Sequence, residues 1–498
     1  MTRPLFRTLM LFVMFAVASC AGPAARTAGA GVVEVTLLQL NDLYEITPIE
    51  GGRSGGLARV ATLRAQLLKE NPNTYTLLAG DVLSPSALGT ATVDGERLAG
   101  RQMVAVLNAL GLDVATFGNH EFDLKEAQLQ QRLAESKFHW TSANVTRMSG
   151  APFDGVSERE VITARGPQGA SLRIGIVGLT LDSNQPGWVK YSAPMATMRK
   201  EIQALAGQVD VVVALTHLVV EDDVDLAQSI PEIDLVLGGH EHQNLQLLRG
   251  ADFTPVFKAD ANARSVYVHR LRYDLATRKL SVASQLVQID AGIADDAAVA
   301  GVVKQWVDRG FAGFRQLGFQ PEAVVARLGT ALDGRDASVR NGPTALTQLL
   351  ARAILAEVPD SELSLYNSGS IRIDDELPLG PVTQYDVIRV LPFGGKVQAV
   401  KMRGDLLNQV LEQGAASAGR GAFLQGANVG HREDVGWTVK DQPIDPRRWY
   451  RVAITDYLAS GREQGLDFLK PGDRMSAPVD YRDPRMALID QLGREFPP

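Results

Sequence analysis

A chain of 498 residues is long enough for two or three domains, at roughly 100–200 residues each. Apolar residues make up 45% and charged residues 21%, so each domain can bury a core, while the net charge of −7 excludes the broad basic face that a nucleic-acid polymer requires. The single cysteine, Cys20, excludes an intrachain disulfide.

The chain opens with Arg3 and Arg7, then an apolar run from Leu9 to Val17, then Ala18, Ser19 and Cys20. A basic start, a short apolar stretch and small residues describe a secretory signal peptide, and the run is too short for a membrane span of about 20 residues. Val17-Ala18-Ser19-Cys20 resembles the bacterial lipobox, in which the cysteine is acylated and becomes the mature N-terminus. Residues 1–20 are therefore expected to be a lipoprotein signal peptide. Residues 21–32, rich in Ala and Gly, read as a flexible tether. The expected location is extracytoplasmic, with the membrane reached through lipidated Cys20.

Residues 33–41 are β-branched and apolar and predict a buried strand, followed by a helix at about 55–70. A strand from Thr74 to Ala79 ends on Gly80-Asp81, and a helix near 98–110 leads to a strand at 113–117 that ends on Gly118-Asn119-His120. Arg173–Leu179 and Val209–Leu215 are apolar strands, the second ending on Thr216-His217. Leu235-Val236-Leu237 ends on Gly238-Gly239-His240. Strands alternating with helices imply an α/β fold with a sheet covered on both faces. Active sites of such sheets form at the carboxyl ends of the strands, so residues far apart in sequence converge on one rim.

Residues 294–321 are read as a connecting helix, with Val303, Trp306, Val307, Phe311 and Phe314 on one side. A second, smaller α/β domain is expected over 322–498, with helices at 345–357 and 404–413 and strands at 363–366, 387–391 and 397–402.

Four of the seven histidines, His120, His217, His240 and His242, fall at strand ends beside glycines or polar residues. Imidazole and carboxylate are the donors expected for Zn²⁺, Mn²⁺ or Fe²⁺, and glycines at 80, 118, 238 and 239 allow tight turns beside them.

Leu40-Asn41-Asp42, Gly80-Asp81, Gly118-Asn119-His120-Glu121-Phe122-Asp123, Thr216-His217 and Gly239-His240-Glu241-His242 resemble the ordered motifs of calcineurin-like metallophosphatases. More narrowly, they resemble the bacterial 5′-nucleotidase / UDP-sugar hydrolase family. The resemblance implies a four-layer α/β/β/α sandwich over 33–293 and a substrate-binding domain after it. It also implies two divalent metal ions (Mn, Zn, Co or Mg), with Asp81 bridging, Asp42 and His242 on the first metal, and Asn119, His217 and His240 on the second. Such a pair activates a water for attack on phosphorus. His120 is similar to the family's catalytic histidine, and Asp123 to its dyad partner.

One position departs from the family. Its motif begins Asn-Asp-x-His with the histidine a ligand of the first metal, whereas this chain reads Asn41-Asp42-Leu43-Tyr44. The first site is then weaker, or completed by a water or Glu45, or Tyr44 coordinates as phenolate.

In the second domain, Asn367-Ser368-Gly369-Ser370-Ile371-Arg372 resembles the family's Asn-Gly-Gly-x-x-Arg loop, and Leu391-Pro392-Phe393-Gly394-Gly395 its Pro-Phe-Gly motif. Asp456-Tyr457-Leu458 resembles the segment with the second stacking aromatic. The resemblance implies that Phe393 and Tyr457 sandwich a base and that Asn367, Arg372, Arg335 and Arg340 contact substrate. Arg462-Glu463-Gln464-Gly465 stands where the family shows Gly-Asp-Gly, which leaves base and sugar preference open. The expected activity is metal-dependent hydrolysis of nucleotide phosphoesters. A thiosulfohydrolase-like enzyme on the same scaffold and a non-catalytic surface binding lipoprotein are the alternatives.

Overall fold

The computed structural model describes residues 31–498, so the expected signal peptide and Cys20 lie outside the described residues, as does the tether but for its last two residues. Among the described residues no helix is long and apolar enough to cross a membrane.

The N-terminal half holds two facing sheets where the strand pattern alone implied one. The first has seven strands in the order Lys279–Gln288, Ser265–Asp274, Val32–Leu40, Thr74–Ala79, Val114–Thr116, His139–Thr141, Val156–Ser157. The second has six, in the order Leu245–Arg249, Thr254–Lys258, Leu235–Gly238, Val211–His217, Ser171–Thr180, Arg159–Arg165. Val32–Leu40 carries apolar residues on both faces, with Glu34 exposed and Thr36 and Gln39 buried among them. Val33, Val35 and Leu37 pack between the sheets with Ile174, Ile176, Val213 and Leu215, while Leu38 and Leu40 face a helical layer. A strand covered on both faces over most of its length does not alternate apolar with solvated residues.

Leu57–Glu70 and Arg101–Leu110 cover the first sheet, through Val60, Val104 and Leu107, and Ala297–Gln316 packs on those two helices through Trp306 and Phe314. Pro194–Leu205 and Val220–Ser229 cover the second, through Met198, Leu205 and Leu226. The layers are α/β/β/α. The long helix Ala297–Gln316 starts at Asp296, whose side chain accepts from the backbone N–H of Ala298 and Val299.

The C-terminal part is built on a five-stranded sheet in the order Leu424–Ala427, Leu363–Asn367, Trp449–Thr455, Val397–Arg403, Val479–Asp480. Ala345–Glu357 and Pro484–Glu495 pack on one face, and Gly404–Ala415 on the other. The strand expected at 387–391 is instead a helix, Gln384–Val390. Thr383 and Asp386 form a reciprocal capping box at its start, which supplies the helix signal that the apolar run Val387-Ile388 obscured. This helix faces the first domain: the Tyr385 ring lies 4.8 Å from that of Phe311.

Candidate metal centre and substrate cavity

The parallel strands of both sheets deliver their carboxyl ends to one edge. Val32–Leu40 delivers Asp42, Thr74–Ala79 delivers Asp81, Val114–Thr116 delivers Asn119 and His120, Val211–His217 ends on His217, and Leu235–Gly238 delivers His240 and His242. Four of these turn through left-handed backbone: Asp42 (φ 52°), Asp81 (54°), His240 (89°) and His242 (59°). Non-glycine residues there cost of order 1–3 kcal/mol each and gather at functional sites. Gly80 and Gly118 permit the crowding. A Cβ on Gly80 would lie 2.5 Å from Gly118 N, and one on Gly118 2.1 Å from Asp81 Oδ1.

Glu121, unassigned within its motif, holds the turns together. It is fully buried; Oε2 accepts from the N–H of Asp81 (3.0 Å) and Gly118 (2.6 Å), and Oε1 from Val82 (2.7 Å) and Leu83 (2.9 Å). Lys258, 1% exposed, braces the other side, donating to Leu218 O (2.7 Å) and Gly239 O (2.8 Å) and pairing with Asp223 and Glu241. Asn41 donates to Asp42 Oδ2 and Ala259 O.

The donor set fits a metal. Asp42, Asp81 and His217 bring ligand atoms within 4.8 Å of one another, all buried. His217 Nδ1 bonds the Ala79 carbonyl at 2.8 Å, so that nitrogen donates and Nε2 is the one turned toward the carboxylates. Nε2 has no hydrogen-bond partner among the described residues, yet stands 3.2 Å from Asp81 Oδ2 and 3.9 Å from Asp42 Oδ1. An imidazole nitrogen facing two carboxylates in a dry pocket calls for a cation between them, whether a proton or a metal ion. Asn119 Oδ1 is likewise buried and unpartnered, as suits an oxygen ligand.

The field agrees. Burial disfavours charge on His217, but the Asp81 and Asp42 carboxylates overcome it and push its pKa up to about 9. Burial, joined by repulsion from His217, pulls His240 down to about 3, leaving a neutral imidazole. Its ring centroid is 5.3 Å from that of His217, and the backbone N–H of His240 donates to Asp42 Oδ2 at 2.9 Å.

Tyr44 stands among the residues expected at the first metal. Its hydroxyl is 3.2 Å from Asp42 Oδ1, 3.1 Å from Asp81 Oδ2 and 2.9 Å from His242 Nε2. Burial and the Asp81 carboxylate push its pKa well above the ordinary tyrosine value. Glu45 does not complete this site. Its carboxylate faces the second domain, accepting from Tyr385 Oη (3.2 Å) and Arg389 Nε (3.3 Å). The expectation for Glu45 fails because a buried carboxylate takes the guanidinium that can neutralise it.

Beside this cluster, His120 Nδ1 meets Asp123 Oδ2 at 2.7 Å and Nε2 meets Arg372 Nη2 at 3.0 Å. A guanidinium only donates, so Nε2 accepts and Nδ1 donates to Asp123. The backbone N–H of His120 reaches Asp81 Oδ1 at 2.8 Å, tying the dyad to the metal cluster. Asn184, absent from the motif reading, donates to Asp123 Oδ1 (2.7 Å) and Asn119 O (3.1 Å), and Ser84 donates to Asp123 Oδ2. Asn184 lies in a loop 61 residues beyond Asp123, and no sequence pattern announces it.

A cavity of about 460 Å³ opens from Asn184 and Arg372 into the second domain, lined also by Asn367, Phe393, Tyr457 and Glu463. Phe393 is 51% and Tyr457 41% exposed, so neither is a core aromatic. Asn367 Oδ1 accepts from Ser370 Oγ at 2.7 Å. The two remaining arginines are engaged elsewhere. Arg335 forks onto Asp333 (2.9 Å to each oxygen) and reaches Glu376, while Arg340 pairs with Asp336. Neither lines the cavity.

A rim of buried His, Asp and Asn donors beside a His–Asp–Arg constellation, on a two-sheet sandwich, defines a metal-dependent phosphoester hydrolase. Residues 35–244 match the calcineurin-like phosphoesterase family and residues 324–470 match the 5′-nucleotidase C-terminal domain. The chain belongs to the calcineurin-like phosphoesterases that carry this second domain. It is 25% identical to a snake venom 5′-nucleotidase of Naja atra over 94% of this chain and 98% of the relative. It is also 25% identical to the NAD 5′-nucleotidase of Haemophilus influenzae, over 91% and 88%. The crystal structure of a 5′-nucleotidase precursor from Thermus thermophilus has the same fold, with a TM-score of 0.76 at 22% identity, covering 93% of this chain and 97% of that one.

Proposed function

We propose that the protein is a lipid-anchored, extracytoplasmic 5′-nucleotidase that releases phosphate from nucleoside 5′-phosphates. The observation that carries the reading is that Arg372 and Asn184 each serve two places. Both line the cavity with the exposed aromatics, and both bond the residues of the His120–Asp123 dyad. A nucleotide spanning these points sets its base between Phe393 and Tyr457 and its phosphate at the metal rim. The aromatic pair favours a nucleotide over a small inorganic ester.

Asp81, Asn119, His217 and His240 would hold one metal ion, and Asp42, Asp81 and His242 the other. When bound, divalent ions supply an activated water and neutralise phosphoryl charge. Arg372 offers a planar fork to the phosphoryl oxygens. Asp123, held by Asn184 and Ser84, keeps the His120 proton on Nδ1 and aims Nε2 at the side from which Arg372 approaches.

The anchor reading rests on the lipobox-like Val17-Ala18-Ser19-Cys20. Gly31, the first described residue, adjoins the amino end of Val32–Leu40, and Asp42 follows the opposite end.

Phosphate release is measured from a panel of nucleotides and nucleotide sugars with Mn²⁺, Zn²⁺, Co²⁺ and Mg²⁺ added separately. Turnover of a nucleoside 5′-monophosphate, abolished by His120→Ala, is expected. No turnover of any of them by metal-replete protein refutes the reading. Cys20→Ser is expected to move the protein from the membrane to the soluble fraction.

A further inference from the structure

The second domain reaches the metal rim through one carboxylate. Asp374, two residues beyond Arg372, accepts from His242 Nδ1 at 2.5 Å. The opposite nitrogen of that ring, Nε2, faces Asp42 Oδ1 at 3.4 Å and the Tyr44 hydroxyl at 2.9 Å. His242 therefore stands as a bridge, with a first-domain metal cluster on one edge and a second-domain carboxylate on the other.

Asp374 is built into this position. Its side chain is 14% exposed. Its other oxygen accepts from the N–H of Asp336 at 2.8 Å, and its backbone carbonyl accepts from Arg264 Nη2, a first-domain side chain, at 2.5 Å. Its backbone is left-handed, with φ 39°, a conformation that aspartate tolerates better than most residues but that still needs surrounding contacts to hold it.

We propose that Asp374 is a positioning residue for the first metal ion, and that through it the packing of the two domains is coupled to metal affinity. The inference rests on the two-metal reading above. A ligating histidine binds best when its other N–H is held by a carboxylate, which sets the tautomer and ring orientation and raises the basicity of the ligating nitrogen. Here that carboxylate comes from a different domain than the ligand. Separation of the domains removes it, and Nδ1 is then free to exchange tautomers. Linkage makes the effect mutual: metal at the first position favours the packed domains by the same factor that packing favours metal. The coupling weighs more in this chain because Tyr44 stands where the family has a histidine, leaving His242 as the one imidazole assigned to the first position.

The test is a Co²⁺ titration of the metal-stripped full-length protein, followed by visible absorption and by calorimetry, with circular dichroism confirming folded variants. Wild type is expected to take up two equivalents. Asp374→Ala is expected to weaken the first-position equivalent about 10–100-fold while leaving the other unchanged. Asp374→Asn, whose amide oxygen can still accept from Nδ1, is expected to fall between. Tyr385→Phe, which removes a different interdomain hydrogen bond, is expected to leave both affinities as in wild type. Two wild-type affinities in Asp374→Ala overturn the inference and spare the two-metal reading. Loss of affinity in Tyr385→Phe equal to that in Asp374→Ala shows a general packing effect and also overturns it. Uptake of fewer than two equivalents by wild type overturns both.

Discussion

Glu121→Gln tests the scaffold of the metal centre. Each glutamate oxygen accepts two backbone N–H groups, from Asp81 and Gly118 on one side and Val82 and Leu83 on the other. Glutamine fills the same volume but replaces one oxygen with an NH₂ group. Whichever way the amide is turned, two buried N–H groups then face a donor. Hydrogen bonds to a charged group contribute about 1.5–3 kcal/mol each, so losing two costs about 3–6 kcal/mol before relaxation. At roughly 2–4 °C per kcal/mol for a domain of this order of size, the lower figure lowers the melting midpoint by roughly 6–12 °C. Scanning calorimetry of metal-stripped protein is the assay, because bound metal would mask the loss by mass action. Metal affinity should fall together with the midpoint, since Asp81 and the Gly118-Asn119 turn lose their common anchor. A Glu121→Gln protein that melts within about 1 °C of wild type would refute the clamp.

Three further outcomes are expected. Asp234 is pushed up to about 6 by burial, against an ordinary 3.8, with the N–H of Val212 pulling the other way. Its folded state therefore holds a proton more tightly than the unfolded state, so the ionised carboxylate opposes folding above pH 6 and that penalty fades as pH falls from 6 toward 4. At 1.36 kcal/mol per pH unit the penalty is at most about 3 kcal/mol, so Asp234→Asn should stabilise the protein at pH 7.5 and lose its advantage near pH 4, as read by urea unfolding at the two pH values. Tyr44→His supplies the imidazole that the family carries at this residue and should lower the metal concentration giving half-maximal activity about tenfold or more; an unchanged metal dependence would remove Tyr44 from the site. Phe393→Ala should raise KM for a nucleoside monophosphate about 2–13-fold, matching a stacking contribution of about 0.5–1.5 kcal/mol, with a smaller change in kcat. An equal KM would place the base elsewhere.

The metal rim is legible in the chain because its signal is local. A buried strand reads as an apolar run, and its polar ending reads as a rim residue, so Asp42, Asp81, Asn119, His217 and His240 each stand out at the end of a run. The helices at Leu57–Glu70 and Ala345–Glu357 are legible for the same reason. The second-domain aromatics are legible by resemblance, and their exposure decides that they line a cavity rather than a core.

The amino-acid order thus dictates which strand ends carry donors and which segments alternate. How those ends are held, and which side chains complete them, depends on the packed chain. Glu121 meets Asp81 across 40 residues, Asn184 meets Asp123 across 61, and Asp374 meets His242 across 132. None of these pairs has a periodic signature, because a buried polar group takes whichever partner folding brings to it. The same reason turns Glu45 away from the metal toward Arg389, whose buried charge requires a carboxylate. It also makes 387–390 part of a helix, since Ile388 is buried in the first domain's core cluster and the Thr383 cap starts a helix that a run of apolar residues alone does not declare.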